Sequence, residues 1–467
     1  MLHHLKEKGM SSFIMEYVVM RAIPVFQLLV AFGILLCDEL QSKQPATLLY
    51  FLRVALSREL QMREKVPQYN TIDDAVNLIK VSKRILILTG AGISVSCGIP
   101  DFRSENGLYA NLKDRGEYEL DDPQQMFDIQ YFKENPSVFF SFAKQIYPSN
   151  FTPSPCHRFI KLIEDKGKLL RNYTQNIDTL ETLAGVRNVL QCHGSFATAS
   201  CLHCRMRMPG SEIETEIMNG EVPQCKQCSN LSSAQKKPER SRKRKGGKRH
   251  DYEDDSDEEQ SGFPPWIIKP DITFFGEKLT DAFDDALHVD RGEVDLILVI
   301  GTSLKVSPVS EILTNMPHSV PQILINKTPV KHINPDIILL GNADPIIQYI
   351  CDCLQWTLPP VTQRNDAVVP DTVHVRSFLQ PAITPSNDRK RPLEDPSILA
   401  PQPQRVGNSH IWLFEGAEGG KWLETRQAEE AERKPQESLP WSPTESPSTT
   451  TSPPADVPRE AKKPRVA

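Results

Sequence analysis

Short runs of apolar residues, each followed by small or polar residues, recur through the middle of the chain. The first run, "ILIL" at 85–88, leads directly into Thr89–Gly92. Apolar runs of this length are typical of buried strands in a parallel sheet. The pattern predicts strands at 84–90, 168–175, 188–195, 295–303 and 321–328.

Helical or loop segments separate these strands. Residues 70–80, "NTIDDAVNLIK", place Asn70 or Thr71 as an N-cap ahead of two acids, which predicts a helix leading into the first strand. Strands that alternate with helices predict an α/β fold, here a Rossmann-like, doubly wound parallel sheet. Ligands bind where the carboxyl ends of such strands meet. We therefore expect a site at the polar strand ends Gly90–Gly92, Gln175–Asp178, His193–Ser195, Gly301–Ser303 and Asn326–Thr328.

Residues 1–70 have helical periodicity, which predicts a helical module ahead of the sheet. The most apolar part, "AIPVFQLLVAFGILL" at 22–36, is 15 residues long and includes Pro24 and Gln27. A membrane-spanning helix needs about 20 apolar residues. The segment is therefore predicted to be a buried helix and not a membrane span.

Positive and negative charges nearly balance, with 54 Lys and Arg residues against 60 Asp and Glu residues. Net charge therefore indicates neither nucleic-acid nor membrane binding. An insert at 229–264 separates the two signs, because a basic run (236–250) precedes an acidic run (251–260). Such runs are normally solvated and disordered. The stretch "RSRKRKGGKR" (240–249) predicts a nuclear localisation signal, with a solvated linker as the alternative.

The remainder of the chain, 357–467, is rich in proline and predicts a mostly disordered tail. One island, "HIWLFEGAEGGKW" at 410–422, is instead apolar and aromatic. Two interpretations stay open for this island. It adds a strand to the edge of a sheet, or it is an unstructured apolar cluster.

Two cysteine pairs, "CLHC" (201–204) and "CKQC" (225–228), are separated by 20 residues, a spacing typical of a tetrahedral zinc site. Four thiolates leave no position for water, so the zinc is predicted to be structural. The motif predicts a small zinc-ribbon lobe, 196–264, inserted into the α/β domain. No secretory signal precedes the ten cysteines, which favours a reducing compartment. The predicted ligands are Cys201, Cys204, Cys225 and Cys228.

The turn after the first strand departs from a dinucleotide fingerprint, which would place a third glycine where this chain has Val95. A dehydrogenase would also carry an acidic residue after a second strand about 20 residues on. No strand pattern precedes "ANLKDR" at 110–115, so hydride transfer is disfavoured. His193 is the strongest candidate for chemistry, because imidazole titrates near neutrality and this one follows a predicted strand.

Ordered motifs over roughly 70–356 resemble those of the sirtuin family, the NAD-dependent protein lysine deacylases. They are "GAGISVSCGIPDFRS" (90–104), "TQNIDTLE" (174–181), "HGSF" (193–196), the four cysteines, "KPDITFFGE" (269–277), "GTSLKVSPVSE" (301–311) and "ILIN" (323–326). The stretches "RNYTQNIDTLE" and "CHGSFATASC" are most similar to the nuclear silencing branch, and the helical segment 1–70 resembles the amino-terminal extension of fungal members of that branch. The resemblance implies a catalytic domain at 71–356, with Rossmann-like parts at 71–195 and 265–356.

The resemblance also implies bound groups and residue roles. NAD would be the co-substrate and zinc a structural ion. His193 and Asn176 would be catalytic. The peptide side would comprise Thr273, Phe275, Gly276 and Glu277, with Phe275 lining an apolar tunnel. The NAD contacts would be Gly90, Ala91, Gly92, Ser94, Asp101, Phe102, Arg103, Tyr109, Gln175, Asn176, Ile177, Asp178, Gly301, Thr302, Ser303, Asn326, Lys327, Thr328 and Ala343.

The implied activity is removal of acetyl groups from lysines of histones and other proteins, with release of nicotinamide and O-acetyl-ADP-ribose. The implied setting is transcriptional silencing in the nucleus, with acetylated tails and a chromatin-associated repressor complex as partners. Neither sequence-specific nucleic-acid binding nor membrane binding is expected. Two alternatives stay open at this stage: a protein ADP-ribosyltransferase, and a catalytically weak chromatin scaffold.

Overall fold

The computed structural model describes residues 1–41, 43–99, 122–148, 151–235, 266–360 and 402–432. The strands in these ranges are β1 (Ile85–Thr89), β2 (Leu169–Thr174), β3 (Val189–Gln191), β4 (Gly194–Cys201), β5 (Arg207–Pro209), β6 (Ile268–Ile272), β7 (Leu296–Ile300), β8 (Gln322–Asn326), β9 (Ile337–Leu340), β10 (Gln404–Arg405) and β11 (Ile411–Leu413). The helices are α1 (Leu2–Phe13), α2 (Val25–Ala31), α3 (Asp38–Gln41), α4 (Pro45–Gln61), α5 (Ile72–Val81), α6 (Ile129–Glu134), α7 (Pro136–Ile146), α8 (Pro155–Asp165), α9 (Leu180–Leu183), α10 (Glu214–Asn219), α11 (Lys226–Gln235), α12 (Asp281–Asp290), α13 (Ile312–Asn315), α14 (Ala343–Leu354) and α15 (Gly420–Glu432).

Eight of these strands form one sheet in the order β10-β11-β9-β8-β7-β1-β2-β3. Every neighbouring pair is parallel except β10 with β11. Without β10 and β11, the remaining order β9-β8-β7-β1-β2-β3 is that of a doubly wound Rossmann sheet. The predicted fold class is therefore confirmed. The pattern of apolar runs had not identified β9.

Helices cover both faces of this sheet, which explains why its central strands are apolar along their whole length. Ile85 and Ile87 pack with side chains from α5, α8 and α14. Leu86 and Leu88 point the other way and pack with side chains from α12 and α13. The predicted helix at 70–80 is α5, and Thr71 is its N-cap through a reciprocal capping box with Asp74.

A smaller lobe contains an antiparallel sheet in the order β5-β4-β6. Its core joins this sheet to α6 and α7 through an aromatic cluster in which Phe274 contacts Phe127, Phe132 and Phe139. Two boundaries differ from the sequence prediction. The strand expected at 188–195 ends at Gln191, because Gly194 (φ +70°) turns the chain into β4. The predicted Rossmann part at 265–356 also contributes β6 to the lobe.

The N-terminal helices form a module with its own apolar core. The segment 22–36 is only partly the buried helix that was predicted: α2 begins after Pro24, ends at Ala31 and is followed by Gly33 with φ +76°. Leu28 and Leu29 are buried, whereas Leu35 is 87% exposed. Within the described ranges, the structure contains no helix long and apolar enough to cross a membrane.

A buried ion pair joins this module to the large sheet. Arg63 Nη2 lies 2.6 Å from Asp336 Oδ2, immediately before β9. Asp336 also accepts the backbone N–H groups of Val66 and Gln322. Arg63 and Asp336 are only 9% and 0% exposed, so neither is solvated by water. Because both charges are paired and hydrogen-bonded, the contact fixes how the module sits on the sheet.

Residues 402–432 also pack on the sheet. β11 pairs in parallel with β9, and Trp412 donates its indole N–H to the carbonyl oxygen of Asn70 at 3.2 Å. This observation decides between the two interpretations of the island at 410–422, because the island adds a strand to the sheet edge. The ordered part extends beyond the island to 402–409 and 423–432, which the prediction of a mostly disordered tail did not single out.

Candidate active site

The carboxyl ends of the central strands of the large sheet meet at one edge, as predicted. Thr302, after β7, donates its hydroxyl to Gln175 Oε1, after β2, at 2.7 Å. Asn326, at the end of β8, donates its side-chain amide to Thr328 O at 2.7 Å. The structure therefore brings polar groups from different strands together, although they are far apart in the chain.

Two glycines let the loops after β1 and β7 touch. Gly92 donates its N–H to Gly301 O at 2.8 Å, and a Cβ on Gly92 would lie 2.8 Å from the Gly301 Cα atom. Gly301 also has φ +63°, which side chains rarely allow. Gly301 is buried and Gly92 is exposed, so the contact presents a short backbone surface without a side chain at Gly92, within the turn Ala91–Ile93. Such a surface fits the close approach of a phosphate group.

A buried polar chain runs beneath this surface. The Ser94 hydroxyl donates to Asp178 Oδ2 at 2.7 Å and accepts from Asn176 Nδ2 at 3.1 Å. Asn176 Nδ2 also lies 3.2 Å from the carbonyl oxygen of Gly90. Ser94, Asn176 and Asp178 are each at most 5% exposed, and neighbouring Ile177 is 9% exposed. Four predicted contact residues are therefore assembled in one place, although Ser94 is already engaged by its neighbours.

His193 lies between the two sheets, in the connection from β3 to β4. Its Nδ1 atom is 2.9 Å from the carbonyl oxygen of Gln175. Since a carbonyl oxygen can only accept, Nδ1 carries the proton and Nε2 has a free lone pair. Nε2 is buried and has no hydrogen-bond partner among the described residues. Burial lowers the pKa of His193, while the contact with Gln175 acts in the opposite direction.

The part of the site after β8 contacts the C-terminal segment 402–432. Lys327 forms an ion pair with Glu418 (Nζ–Oε1 2.6 Å), and the Glu418 N–H donates to the carbonyl oxygen of Lys327. Ala343 begins α14 and packs against the core of the large sheet. Ser303 and Thr328 are exposed at the same edge. The predicted contacts Asp101, Phe102, Arg103 and Tyr109 lie outside the described residues.

The predicted peptide side is the segment after β6. Thr273 donates its N–H to His193 O at 2.8 Å, so this segment begins next to the candidate base. Phe274 is 1% exposed and belongs to the lobe core, whereas Phe275 is 38% exposed. The Phe275 backbone is paired on both sides, since its N–H donates to Phe127 O and its carbonyl accepts from Ile129 N–H. It therefore offers a side chain to a ligand, but not its backbone.

Lys269 holds this segment in shape. The Nζ atom lies 2.6 Å from Ile272 O, 2.9 Å from Glu277 Oε2 and over the ring of Phe274. Glu277 Oε2 also accepts the Phe274 N–H at 2.8 Å, and Gly276 completes the turn with φ +89°. Lys269 is 6% exposed. Sequence reasoning missed it, although a lysine inside the apolar run "WIIKPDI" was a usable signal.

The four cysteines converge in the lobe, at the end of β4, in the turn after it, and at the start of α11. Cys201 Sγ lies 3.9 Å from Cys228 Sγ, and Cys204 Sγ lies 3.8 Å from Cys225 Sγ. All four sulfurs are within 4.8 Å of one another. Four sulfurs at about 2.3 Å from zinc would be about 3.8 Å apart in a regular tetrahedron. The donors and their spacing therefore fit a structural zinc ion.

Comparisons with known proteins agree with this geometry. The sequence model of the Sir2 family matches residues 90–308, and a model described as "Protein of unknown function (DUF592)" matches residues 4–89. The chain is 41% identical over 403 residues to a Mus musculus protein named NAD-dependent protein deacetylase sirtuin-1. It is 42% identical over 366 residues to the Rattus norvegicus protein of that name, and 42% identical over 363 residues to the Schizosaccharomyces pombe protein named NAD-dependent histone deacetylase sir2.

These alignments cover different shares of the proteins. The mouse alignment includes 83% of this chain and 49% of the relative. The rat alignment includes 75% of this chain and 60% of the relative. The chain therefore spans only about half to three fifths of these two relatives. The fission-yeast alignment includes 76% of this chain and 75% of the relative. On this identity and coverage, the chain belongs to the Sir2 family.

Proposed function

We propose that the chain is an NAD-dependent protein lysine deacetylase whose substrates are acetylated histones and other proteins. The observation that carries this proposal is His193. Its ring is held by Gln175 in the tautomer that leaves Nε2 free to accept a proton. Named relatives across animals and fungi are NAD-dependent protein or histone deacetylases, which supports the same activity.

The residues at the sheet edge would bind NAD. The backbone at Gly92, which carries no side chain, would lie against the phosphate groups, and Asn176 and Asp178 would offer amide and carboxylate groups to the carboxamide of nicotinamide. When bound, NAD would supply a sugar carbon that loses nicotinamide and then carries the acetyl group. Asp101, Phe102, Arg103 and Tyr109 are proposed contacts from the sequence alone.

His193 would act as a general base in this site. With Nδ1–H donated to Gln175, the free Nε2 would take a proton from a ribose hydroxyl. Burial lowers the pKa of His193, so the ring is neutral and ready to accept at neutral pH. Asn176 would orient the reacting groups through its bonds to Gly90 and Ser94. A buried base that is already oriented requires little reorganisation.

The acetylated lysine would enter beside Phe275 and Thr273. Acetylation removes the charge of the lysine, so its side chain suits contact with the exposed Phe275 ring. Lys269 and Glu277 would keep this wall in position. The zinc ion would stabilise the lobe that supplies the wall and take no part in the chemistry.

The relatives named histone deacetylases imply action on chromatin. We propose a nuclear location, with the basic run 240–249 as the targeting signal, and a chromatin-associated repressor complex as the partner. The basic run lies outside the described residues. A tagged chain lacking 236–249 should become cytoplasmic. Retention in the nucleus would reject the run as the signal.

The activity is tested with the purified full chain, NAD and an acetylated histone-tail peptide. We expect one nicotinamide, one free lysine and one O-acetyl-ADP-ribose per turnover. Labelled NAD distinguishes the alternatives in the same experiment. Label on protein without deacetylation would favour ADP-ribosyl transfer, and the absence of any NAD cleavage would favour the scaffold. Either result would overturn the proposal.

A further inference from the structure

Beneath the site lies a cluster of three buried ionisable side chains: His157 on α8, Asp178 after β2 and Glu181 on α9. One nitrogen of His157 and one carboxylate oxygen from each acid lie within 4.8 Å of one another. His157 and Glu181 are 0% exposed, and Asp178 is 5% exposed. Among the described residues, His157 Nε2 and Glu181 Oε2 have no hydrogen-bond partner. The cluster therefore has two buried polar atoms without a partner among the described residues.

Two carboxylates this close and this deeply buried do not both carry a negative charge unless a positive charge joins them. In the described part of the chain, no lysine or arginine forms an ion pair with Asp178 or contributes to its pKa, and the same is true of Glu181. The positive charge must therefore come from a metal ion or from a proton. The two possibilities make different demands on the imidazole of His157.

The imidazole of His157 is held in the wrong tautomer to bind a metal through Nε2. The backbone N–H of Ser154 donates to its Nδ1 atom at 3.1 Å. Nδ1 is therefore an acceptor, and in a neutral ring Nε2 carries the proton. Burial lowers the pKa of His157 to about 3, so the ring is neutral. Nε2 thus carries a proton and has no lone pair for a metal ion.

The hydrogen bonds decide which acid takes the proton. Burial raises the pKa of Asp178, but Asp178 also accepts from the Ser94 hydroxyl at 2.7 Å and from the Leu180 N–H at 3.0 Å, and both bonds favour its charged form. Glu181 Oε1 accepts a long bond of 3.3 Å from Thr89 Oγ1, and Oε2 accepts none from the described residues. Burial and the charge of Asp178 outweigh the hydroxyls of Thr174 and Thr89, so the pKa of Glu181 is raised. An unpaired buried carboxylate oxygen is costly, whereas a protonated one is not.

We propose that Glu181 is a positioning residue that stays a neutral carboxylic acid at neutral pH and leaves Asp178 as the single anion beneath the site. This role deepens the proposed function and rests on it, since Asp178 is a proposed NAD contact. A neutral Glu181 avoids charge repulsion against Asp178, and so keeps the chain of bonds from Asp178 through Ser94 to Asn176 in place.

A neutral Glu181 makes the stability of the folded protein depend on pH. Burial, followed by the charge of Asp178, raises the pKa of Glu181 from its ordinary 4.5 to about 8. The groups that face it are Asp178 on its own segment, His157 on α8 and Cys192 after β3. The folded state binds the proton more tightly than the unfolded state, so stability falls as pH rises between the two pKa values. Above about pH 8 the cluster gains a second anion.

The first experiment measures the proton directly in the full-length, zinc-loaded protein. Infrared difference spectra of the wild type against Glu181→Gln should show the carbonyl band of a protonated carboxyl group that only the wild type has. In the wild type alone, the band should disappear as pH is raised through about 8. Exposed Glu424→Gln is the matched control and should leave the band intact. A band absent at pH 7 in the wild type would overturn the proposal.

Metal analysis of the same samples tests whether a metal ion, and not a proton, compensates the charge of the two carboxylates. We expect one zinc per chain in the wild type and in Glu181→Gln, since the four cysteines hold that ion. A second metal ion that is lost with Glu181→Gln or His157→Ala would show a metal site instead and overturn the proposal. Both measurements are independent of turnover, so they stay informative if the proposed function fails.

Kinetics then test the positioning role. Glu181→Gln keeps a neutral side chain of the same shape, and its kcat/KM for NAD should stay within about threefold of the wild type at pH 7. Glu181→Ala should lose about 100-fold through misplacement of Asp178. The alkaline loss of activity in the wild type should be absent in Glu181→Gln. Equal losses in the two variants would reject the role.

Discussion

The Nδ1 atom of His193 lies 2.9 Å from the carbonyl oxygen of Gln175, and this contact fixes the tautomer of the ring. The buried His157 has the reverse arrangement, because a backbone N–H donates to its Nδ1. One histidine therefore offers a lone pair at Nε2, and the other offers a proton. Backbone groups, and not the histidines themselves, decide which ring can act as a base.

Replacement of His193 by alanine tests its role. We expect His193→Ala to lower kcat at least about 100-fold, because the proton acceptor is removed. NAD binding measured by calorimetry should persist, since the glycine and asparagine contacts are unchanged. His288→Ala is the matched control, because His288 is exposed on α12. A His193→Ala enzyme with wild-type turnover would remove this residue from the mechanism.

The pH dependence of the reaction should report the same residue. A general base is active when it is deprotonated, and burial lowers the pKa of His193 below its ordinary 6.5. Activity should therefore persist into mildly acidic solution, and the acid limb of the kcat profile should have its midpoint below pH 6.5. A midpoint above that value would mean that a different group limits the rate.

Loss of a zinc ligand should unfold the small lobe. Cys201 ends β4 and is buried, so Cys201→Ser removes one of four ligands and exposes the lobe core. We expect loss of bound zinc and a fall in Tm of several degrees or more, measured by metal analysis and thermal scanning. Cys353→Ser, which changes an exposed cysteine outside this cluster, should change neither. A folded, metal-free Cys201→Ser protein would contradict the zinc assignment.

The buried pair of Arg63 and Asp336 predicts a large stability effect from a site far from the chemistry. Arg63→Met leaves Asp336 charged and unpaired, which should cost about 3 kcal/mol of unfolding free energy. Denaturant titration measures this loss. The adjacent pair of Lys6 and Glu64 gives the control, since the Glu64 side chain is 91% exposed and Glu64→Ala should cost less than about 1 kcal/mol. Similar losses in the two variants would mean that burial does not determine how much an ion pair contributes to the unfolding free energy.

Removal of β11 should destabilise the large sheet. A chain that ends at residue 401 leaves β9 as an unpaired edge and uncovers Ile338, whose N–H is bonded to His410 O. Compared with a chain that ends at 432, its Tm should be lower by several degrees. Protection of the β9 amides from hydrogen exchange should fall as well. Equal melting temperatures would mean that the added strands contribute little.

The features that sequence reasoning found are local. The strand ends around Gly90 and Gln175 follow apolar runs, and the cysteine spacing describes one ion site. Both signals lie within a few residues of the structure they predict, so periodicity and spacing were sufficient. The position of His193 between two sheets was not visible, because Gly194 ends one strand pattern and begins another without a break in polarity.

The features that it missed depend on long-range contacts. Arg63 and Asp336 are 273 positions apart, and nothing near either residue indicates the other. His157 and Glu181 look like ordinary helix residues in sequence, and only the packing of α8 against the end of β2 brings them together. The edge strand at 411–413 could be suggested by composition, but its partner β9 could not.

The pairing of β11 with β9 has a consequence for synthesis of the protein. β9 ends at Leu340, and its outer neighbour in the sheet, β11, ends at Leu413. β11 therefore emerges from the ribosome 73 residues after β9. While the intervening segment is translated, β9 of the nascent chain is an exposed edge strand whose unpaired backbone groups favour aggregation. Chaperone demand during translation should be greatest in that interval and should end when the tryptophan-containing strand arrives.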